Sequence, residues 1–447
     1  MHEPNELVAN AFVVAARDVG YRSAVARTNW SGNYTYRARA IHAPSTLEQL
    51  QEIVSRLPRV RVLGSGHSFT DIADCEELVT LDRLERRVVV DREAMTVSFS
   101  GAMRYGELVR ELERERLALA NLASLPHIAV AGAVSTATHG SGDHNGNLAT
   151  SVVGLELVTS DGDVLTAAQT DPDFEGLVVG LGAIGALTRV TLSVESDYQI
   201  RQHVFEGLRW EELFEHFDAI TASGHSVSVF TRWGETTTQL WIKSRVREES
   251  DSATAEFFGA AAEFFGATAA TKQVHPAVGP DPATTTEQLG VPGRWSERLP
   301  HFRMAFTPSS GAEIQSEYIV ARRHAVPTIE AIRRIRSTVE PLTLVSEIRT
   351  IAADRLWMSP QYGQDTVAIH FTWKLEQSRV TRALVEVERA LAPFEPRPHW
   401  GKLFVADAKT IGPRYERLAD FARLLDRLDP RGAFRNGWLE SRVLGGE

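Results

Sequence analysis

Gly180-Leu181-Gly182-Ala183-Ile184-Gly185, followed by Ala186-Leu187-Thr188-Arg189-Val190-Thr191-Leu192-Ser193-Val194, is the stretch on which the fold turns. Its first six residues spell the dinucleotide fingerprint G-x-G-x-x-G letter for letter. The fingerprint has physical meaning only where a helix follows, because the helix N-terminus holds the pyrophosphate. Here a β-branched, strand-like run follows. A doubly wound dinucleotide fold is therefore excluded, and another part of the chain must carry any nucleotide.

Upstream, Ser45-Thr46-Leu47-Glu48 spells a capping box, and Leu47, Leu50, Ile53, Val54 and Leu57 share one helical face up to Pro58. Arg59 to Leu63 alternates as a strand and runs into Gly64-Ser65-Gly66-His67-Ser68-Phe69. Further strands are predicted at Val88 to Val90, Thr96 to Ser100, Gly154 to Thr159 and Leu187 to Val194. A helix is predicted from Tyr105 to Leu117 and a hairpin at Asp161-Gly162. Residues 27–197 thus read as one α+β domain. From 198 to 402 a second, sheet-based unit follows. It has strands at Val227 to Thr231, Gln239 to Lys243, Glu313 to Val320, Leu342 to Ile351 and Thr366 to Trp373, and helices at Pro327 to Val339 and Ser378 to Leu391. The Ala-rich stretch Ala253 to Ala270, with Phe257, Phe258, Phe264 and Phe265, reads as helical, and Pro276 to Pro292 as a loop. Residues 403–447 form a helical tail, and residues 1–26 a weakly structured extension.

Composition narrows the function. A 447-residue chain is long for one core, so two domains are expected. A net charge of −10 argues against nucleic acid. Cys75 is the only cysteine, which rules out an intrachain disulfide and a cysteine-based metal site and fits a cytoplasmic protein. No apolar run approaches the roughly 20 residues that span a bilayer. The start of the chain, with Glu3 and Glu6 before its short apolar run, reads poorly as a secretory signal. His127, His139 and His144 lack metal-ligand spacing, so no metal is expected. No apolar stripe suggests an obligate partner, and a monomer is the expectation.

Two long runs of small residues point to a cofactor. One is the Gly64–Phe69 loop, whose small side chains leave backbone N–H groups open to an anion. The other runs from Pro126 to Gly142 and lacks the bulky side chains of a packed core, as suits a large flat ligand lying on backbone. The second unit places polar groups on apolar strands. Glu347 and Arg349 share one strand face, roughly 7 Å apart, and His370 and Thr372 share a face of another. If those strands are neighbours, a carboxylate, guanidinium, imidazole and hydroxyl converge, with Lys402 following in Pro398-His399-Trp400-Gly401-Lys402. Glu347 and Arg349 alone would read as an exposed ion pair; with the other three they read as the lining of a pocket.

These motifs resemble the bacterial alditol (xylitol) oxidases, members of the vanillyl-alcohol-oxidase flavoprotein family. The resemblance is carried by Asn29-Trp30-Ser31-Gly32-Asn33, Gly64–Phe69, Asn121-Leu122-Ala123-Ser124-Leu125-Pro126-His127-Ile128, Thr138-His139-Gly140-Ser141-Gly142, Ser346-Glu347-Ile348-Arg349-Thr350, His370-Phe371-Thr372-Trp373 and the Lys402 motif. It implies an α+β, two-domain FAD-binding fold of that type, with the FAD-binding domain assembled from residues 27–197 and 403–447, a sheet-based substrate domain of residues 198–402 between them, and FAD joined covalently to His67. Cofactor contacts are implied at Gly64, Ser65, Gly66, Ser68, Phe69, Ser124, Ala129, Gly132, Thr136, Ala137, Thr138, His139 and Val190. Ser124, Glu347, Arg349, Thr372 and Lys402 would bind substrate, and Arg349, Lys402, His370 and Glu347 would serve the chemistry. The implied reaction takes the terminal alcohol of xylitol or sorbitol to the aldose. Hydride passes to flavin N5, molecular oxygen is reduced to hydrogen peroxide, and either His370 or Glu347 handles the proton. An aldonolactone oxidase or dehydrogenase using another acceptor is the first alternative, and a non-catalytic flavin- or sugar-binding protein the second. The chain departs from the pattern in its N-terminal extension and at Ala129, Ala133 and Ala137, and Ala137 is expected to narrow the space beside the flavin.

Overall fold

A computed structural model describes residues 27–246, 263–304 and 313–446, together with the backbone of Tyr21 and Arg22; most of the extension 1–26 lies outside these residues. The Leu47–Arg56 helix forms where its apolar face predicts, but its cap is shifted by one residue. Thr46 is the N-cap and accepts from the Gln49 amide, while the Ser45 amide and hydroxyl donate to Gln49 Oε1. The start is therefore capped by Thr46 on the Gln49 backbone N–H and by the Gln49 side chain on Ser45, not by a Ser45–Glu48 box.

The fingerprint glycines do what their sequence context requires. The strand Ala186–Ser193 follows them directly. Gly182 has φ +68°, and a Cβ there would meet the Arg61 guanidinium at 3.2 Å. Arg61 is buried and donates to the carbonyls of Leu181, Gly182, Ile72 and Phe434. One side chain thus ties the Asp71–Ala73 turn, the fingerprint loop and the C-terminal segment to the strand that leads into the first small-residue loop. Phe434 also packs with Leu50, Val54, Val60, Val79 and Val158, so the tail completes the core begun by the first strands.

Three main sheets result. A small mixed sheet holds Ala40–His42, Glu77–Val79 and Arg61–Val62, with Tyr21–Arg22 on its edge. A five-stranded antiparallel sheet runs Val88–Asp91, Thr96–Ser100, Ala186–Ser193, Val152–Val158, Val164–Ala168. A ten-stranded sheet forms the second unit, with Ser226–Thr231, Thr343–Ile351, Thr366–Lys374 and Glu313–Ala321 as consecutive antiparallel neighbours at its centre. Their register puts Phe230, Glu347, His370 and Glu317 in one row across four strands.

The Ala-rich helix is corrected where the structure describes it. Glu263–Phe264 and Ala267–Ala269 pair as a hairpin whose turn places Phe265 at φ 48° and Gly266 at φ 73°. Phe264 packs on Phe205, with ring centroids 5.3 Å apart. Helix propensity is a weak prior, and this packing overrides it. Residues 253–262, with Phe257 and Phe258, lie outside the described residues.

Candidate active site

A cavity of about 620 Å³ lies between the two small-residue loops and the central strands of the large sheet. The loops form its first wall. Trp30 N donates to Gly66 O, Asn29 Nδ2 to Ser68 O and Phe69 N to Gly401 O, so the His67 turn is pinned from three sides. The Ala129 amide donates to Ser65 Oγ at 2.9 Å, which joins the two loops directly. Gly66, at φ +70°, makes the turn that presents His67. The Trp30 ring stacks on His67 with centroids 5.4 Å apart and planes 18° from parallel. Burial, with Arg104 and His127 nearby, pushes His67 down to about 4, so the imidazole is neutral. Its Nδ1 is buried and has no hydrogen-bond partner. A neutral, unpartnered nitrogen on a wall of Gly64, Gly66, Ala129 and Gly132 suits the edge of a flat aromatic group, so these residues fit a flavin.

The opposite wall is polar. Glu347 and Arg349, 4% and 5% exposed, face the cavity rather than solvent. The Glu347 and Thr366–Lys374 strands are neighbours, with Glu347 opposite His370. Lys402 Nζ lies 2.8 Å from His370 Nδ1, and His370 Nε2 lies 3.0 Å from Thr372 Oγ1. Burial and then Lys402 push His370 down to about 4, leaving it neutral at physiological pH. Burial alone would raise the Glu347 carboxyl, but Arg349 and His301 outweigh it and hold it well below the usual carboxylate range.

Two groups on this wall escape the sequence reading. Glu317 is fully buried, takes Lys402 Nζ at 2.6 Å and an Arg349 guanidinium nitrogen, and lies 3.4 Å from His139 Nε2. Burial would raise it, yet Lys402 and Arg349 keep it ionised. It is the counter-charge of both cations. The signal is a mid-strand carboxylate directly before the apolar run Tyr318 to Ala321 of the strand Glu313–Ala321, much as Glu347 stands directly before Ile348. His301 is the second; its Nε2 lies 2.8 Å from Glu347 Oε1. It sits in a loop, where no periodicity marks it.

Gly64, Ser65, Gly66, His67, Ser68, Phe69, Ser124, Ala129, Gly132, Thr136, Thr138 and His139 line the cavity together with Glu347, Arg349, His370, Thr372 and Lys402. Ala137 and Val190 do not. Ala137, at φ 51°, and Val190, in a central strand, are both fully buried in the core behind the wall, so the Ala137 methyl group does not narrow the cavity. No cluster of metal-ligating side chains occurs among the described residues, and no described helix is long and apolar enough to cross a membrane.

Residues 190–442, more than half the chain, match the D-arabinono-1,4-lactone oxidase family. The chain belongs to that family. Residues 38–168, which include both small-residue loops, match the FAD binding domain, and FAD is the cofactor of this family member. Over 94% of this chain and 99% of the relative, it is 45% identical to an alditol oxidase of a Streptomyces species. An L-gulono-1,4-lactone dehydrogenase of Mycobacterium tuberculosis is 29% identical over 94% of this chain and 99% of its own length. The crystal structure of cholesterol oxidase from B. sterolicum has the same fold, with a TM-score of 0.74 over 98% of this chain and 99% of that one, at 14% identity.

Proposed function

We propose that this family member oxidises the terminal primary alcohol of alditols such as xylitol and sorbitol to the aldose, with FAD tethered through His67. One observation carries the reading. A neutral histidine with a free buried nitrogen stands on one wall of a cavity whose other wall gathers Arg349, Lys402, Glu347, His370 and Thr372. The 45% identity to an alditol oxidase, against 29% to a lactone dehydrogenase, supports a polyol over a lactone.

Bound FAD would supply the two-electron acceptor for hydride from the carbinol carbon, with oxygen as the final acceptor, and His67 would hold it covalently. The chain's own residues do the rest. Arg349 and Lys402 face the oxygen that gains negative charge as the alcohol loses its proton, a role that preorganised cations fill well in a site screened from water. Glu347 is ionised and held far below the assay range, so it accepts a hydrogen bond and orients a hydroxyl. A carboxylate that weak is a poor proton store. His370 takes the proton at Nδ1 as the developing alkoxide draws Lys402 Nζ off that atom, which frees the lone pair and removes the cation that, after burial, lowers the ring. Ser124 and Thr372 read the remaining hydroxyls, and a substrate lacking one would leave a buried polar group unpaired.

The test is a peroxide-coupled screen of polyols and γ-lactones on the purified yellow protein. Xylitol or sorbitol should release peroxide; turnover of γ-lactones alone would move the assignment to the lactone branch. Acid precipitation should carry the yellow colour down with the protein, and His67→Ala should leave it in the supernatant. Colour freed from the wild type would refute the tether. The single cysteine supports a cytoplasmic protein, and light scattering should find a monomer.

A further inference from the structure

Lys243 sits on the Gln239–Arg245 strand, 1% exposed, with no carboxylate bonded to it among the described residues. Its ammonium has three hydrogens, and three acceptors surround it: the carbonyl of Leu299, the carbonyl of Pro300 at 3.2 Å and His301 Nδ1 at 3.1 Å. The charged ammonium has no lone pair, so the contact to His301 then requires Nδ1 to be the accepting nitrogen, and the Glu347 carboxylate at Nε2, which can only accept, demands the same tautomer. The imidazole proton is then on Nε2, the atom 2.8 Å from Glu347 Oε1. The ring cannot turn away from this alignment. Phe230 and Trp241 pack against it edge to face at 5.4 and 5.3 Å, and Thr286 holds its loop by donating to Pro300 O and His301 O.

We propose that Lys243 and His301 are positioning residues: Lys243 holds His301 in the tautomer that donates to Glu347 Oε1, and His301 thereby aims the second oxygen, 3.6 Å from Arg349 Nε, at a substrate hydroxyl. The inference rests on Glu347 reading substrate. A chain of Lys243, His301 and Glu347 extends the site two groups into the sheet, past any residue that the substrate touches. A buried lysine that merely anchored the 299–301 loop would need its two carbonyl bonds and nothing from the histidine.

The charged and titratable groups facing Glu347 are Arg349 on its own strand, His370 on the next, Lys402 and His301 on loops, and Lys243 behind His301. Removing the His301 donor leaves Glu347 Oε1 unpaired and the carboxylate free to turn from substrate, a loss that Glu347→Gln should mask and that packing loss alone would leave unmasked.

The experiment compares variants in the FAD-loaded protein with xylitol. Glu347→Gln should lower kcat/KM by more than tenfold, roughly the weight of a charged hydrogen bond; no change would overturn both the role of Glu347 and the relay. His301→Phe should cost roughly tenfold in the wild-type background but less than twofold in Glu347→Gln, since the relay then has nothing to act on. His301→Gln, whose amide nitrogen can stand where Nε2 stands, should recover most of the loss. Equal losses in the two backgrounds, or a His301→Gln that recovers nothing, would overturn the relay while leaving Glu347 a substrate group. Should His301→Phe not accumulate folded protein, Lys243→Met in the same two backgrounds gives the same decision.

Discussion

Two lysine–histidine pairs flank the Glu347 and Arg349 row, and they are built in opposite senses. In one the histidine stands on the sheet and the lysine on a loop: Lys402 meets His370 Nδ1, and His370 Nε2 meets Thr372. In the other the lysine stands on the sheet and the histidine on a loop: Lys243 meets His301 Nδ1, and His301 Nε2 meets Glu347. In both, burial pushes the imidazole down to about 4. The decisive difference is the counter-charge. Lys402 is paired with Glu317, whereas Lys243 has two carbonyls and a neutral ring, and burial pushes it down to about 7. The first pair can face charge that develops on substrate, and the second can only orient a neighbour.

That contrast orders the expected effects. Glu317→Gln should be the most damaging change, since it leaves Arg349 and Lys402 buried without their carboxylate. Breaking a buried pair this way costs about 3–5 kcal/mol, to be read from denaturant unfolding, and the alcohol oxidation should fall with it. Lys402→Met should lower kcat by about 10²–10³, the weight of one preorganised donor to a developing oxyanion, with the flavin still bound. Lys243→Met should cost only about tenfold in kcat/KM, as expected when a single charged hydrogen bond to an orienting group is weakened. If the two lysine variants lose activity equally, the division between a charge-facing pair and an orienting pair fails.

The smallest effect is a pH dependence of stability. Both histidines have folded values near 4 against an ordinary 6.5. Above pH 6.5 they are neutral in both states and contribute no slope. As the pH falls from about 6.5 toward 4, the unfolded chain takes up protons that the folded chain refuses, and stability declines. His301→Gln and His370→Gln should each flatten the fall in melting temperature across that window. An unchanged slope would show that the ring concerned is protonated in the folded protein.

The same contrast explains how far the sequence could be read. His370 was visible because it and Thr372 interrupt an apolar strand with period two, and Lys402 because it ends a short aromatic motif. The Gly64–Phe69 loop was visible because small residues directly follow a strand. Lys243 closed the strand as read from sequence, where a lysine looks solvated, although the strand continues to Arg245. His301 lies in Leu299-Pro300-His301-Phe302, where no periodicity assigns a face. Glu317 carried the right pattern, but its partners come from three other segments, and pairing across 32 and 85 residues of chain is set by sheet order, not by spacing. The hairpin at Phe265-Gly266 failed for the converse reason: alanine content favoured a helix that one left-handed turn and one aromatic contact override.

Mixing xylitol with the purified yellow protein under nitrogen and following the flavin's visible band probes the shared cavity most directly. The band should bleach at least as fast as steady-state turnover, and Lys402→Met should slow the bleaching far more than Lys243→Met. A band that stays unbleached by xylitol and sorbitol, or that bleaches only with a γ-lactone, would contradict the assignment of this cavity to polyol oxidation.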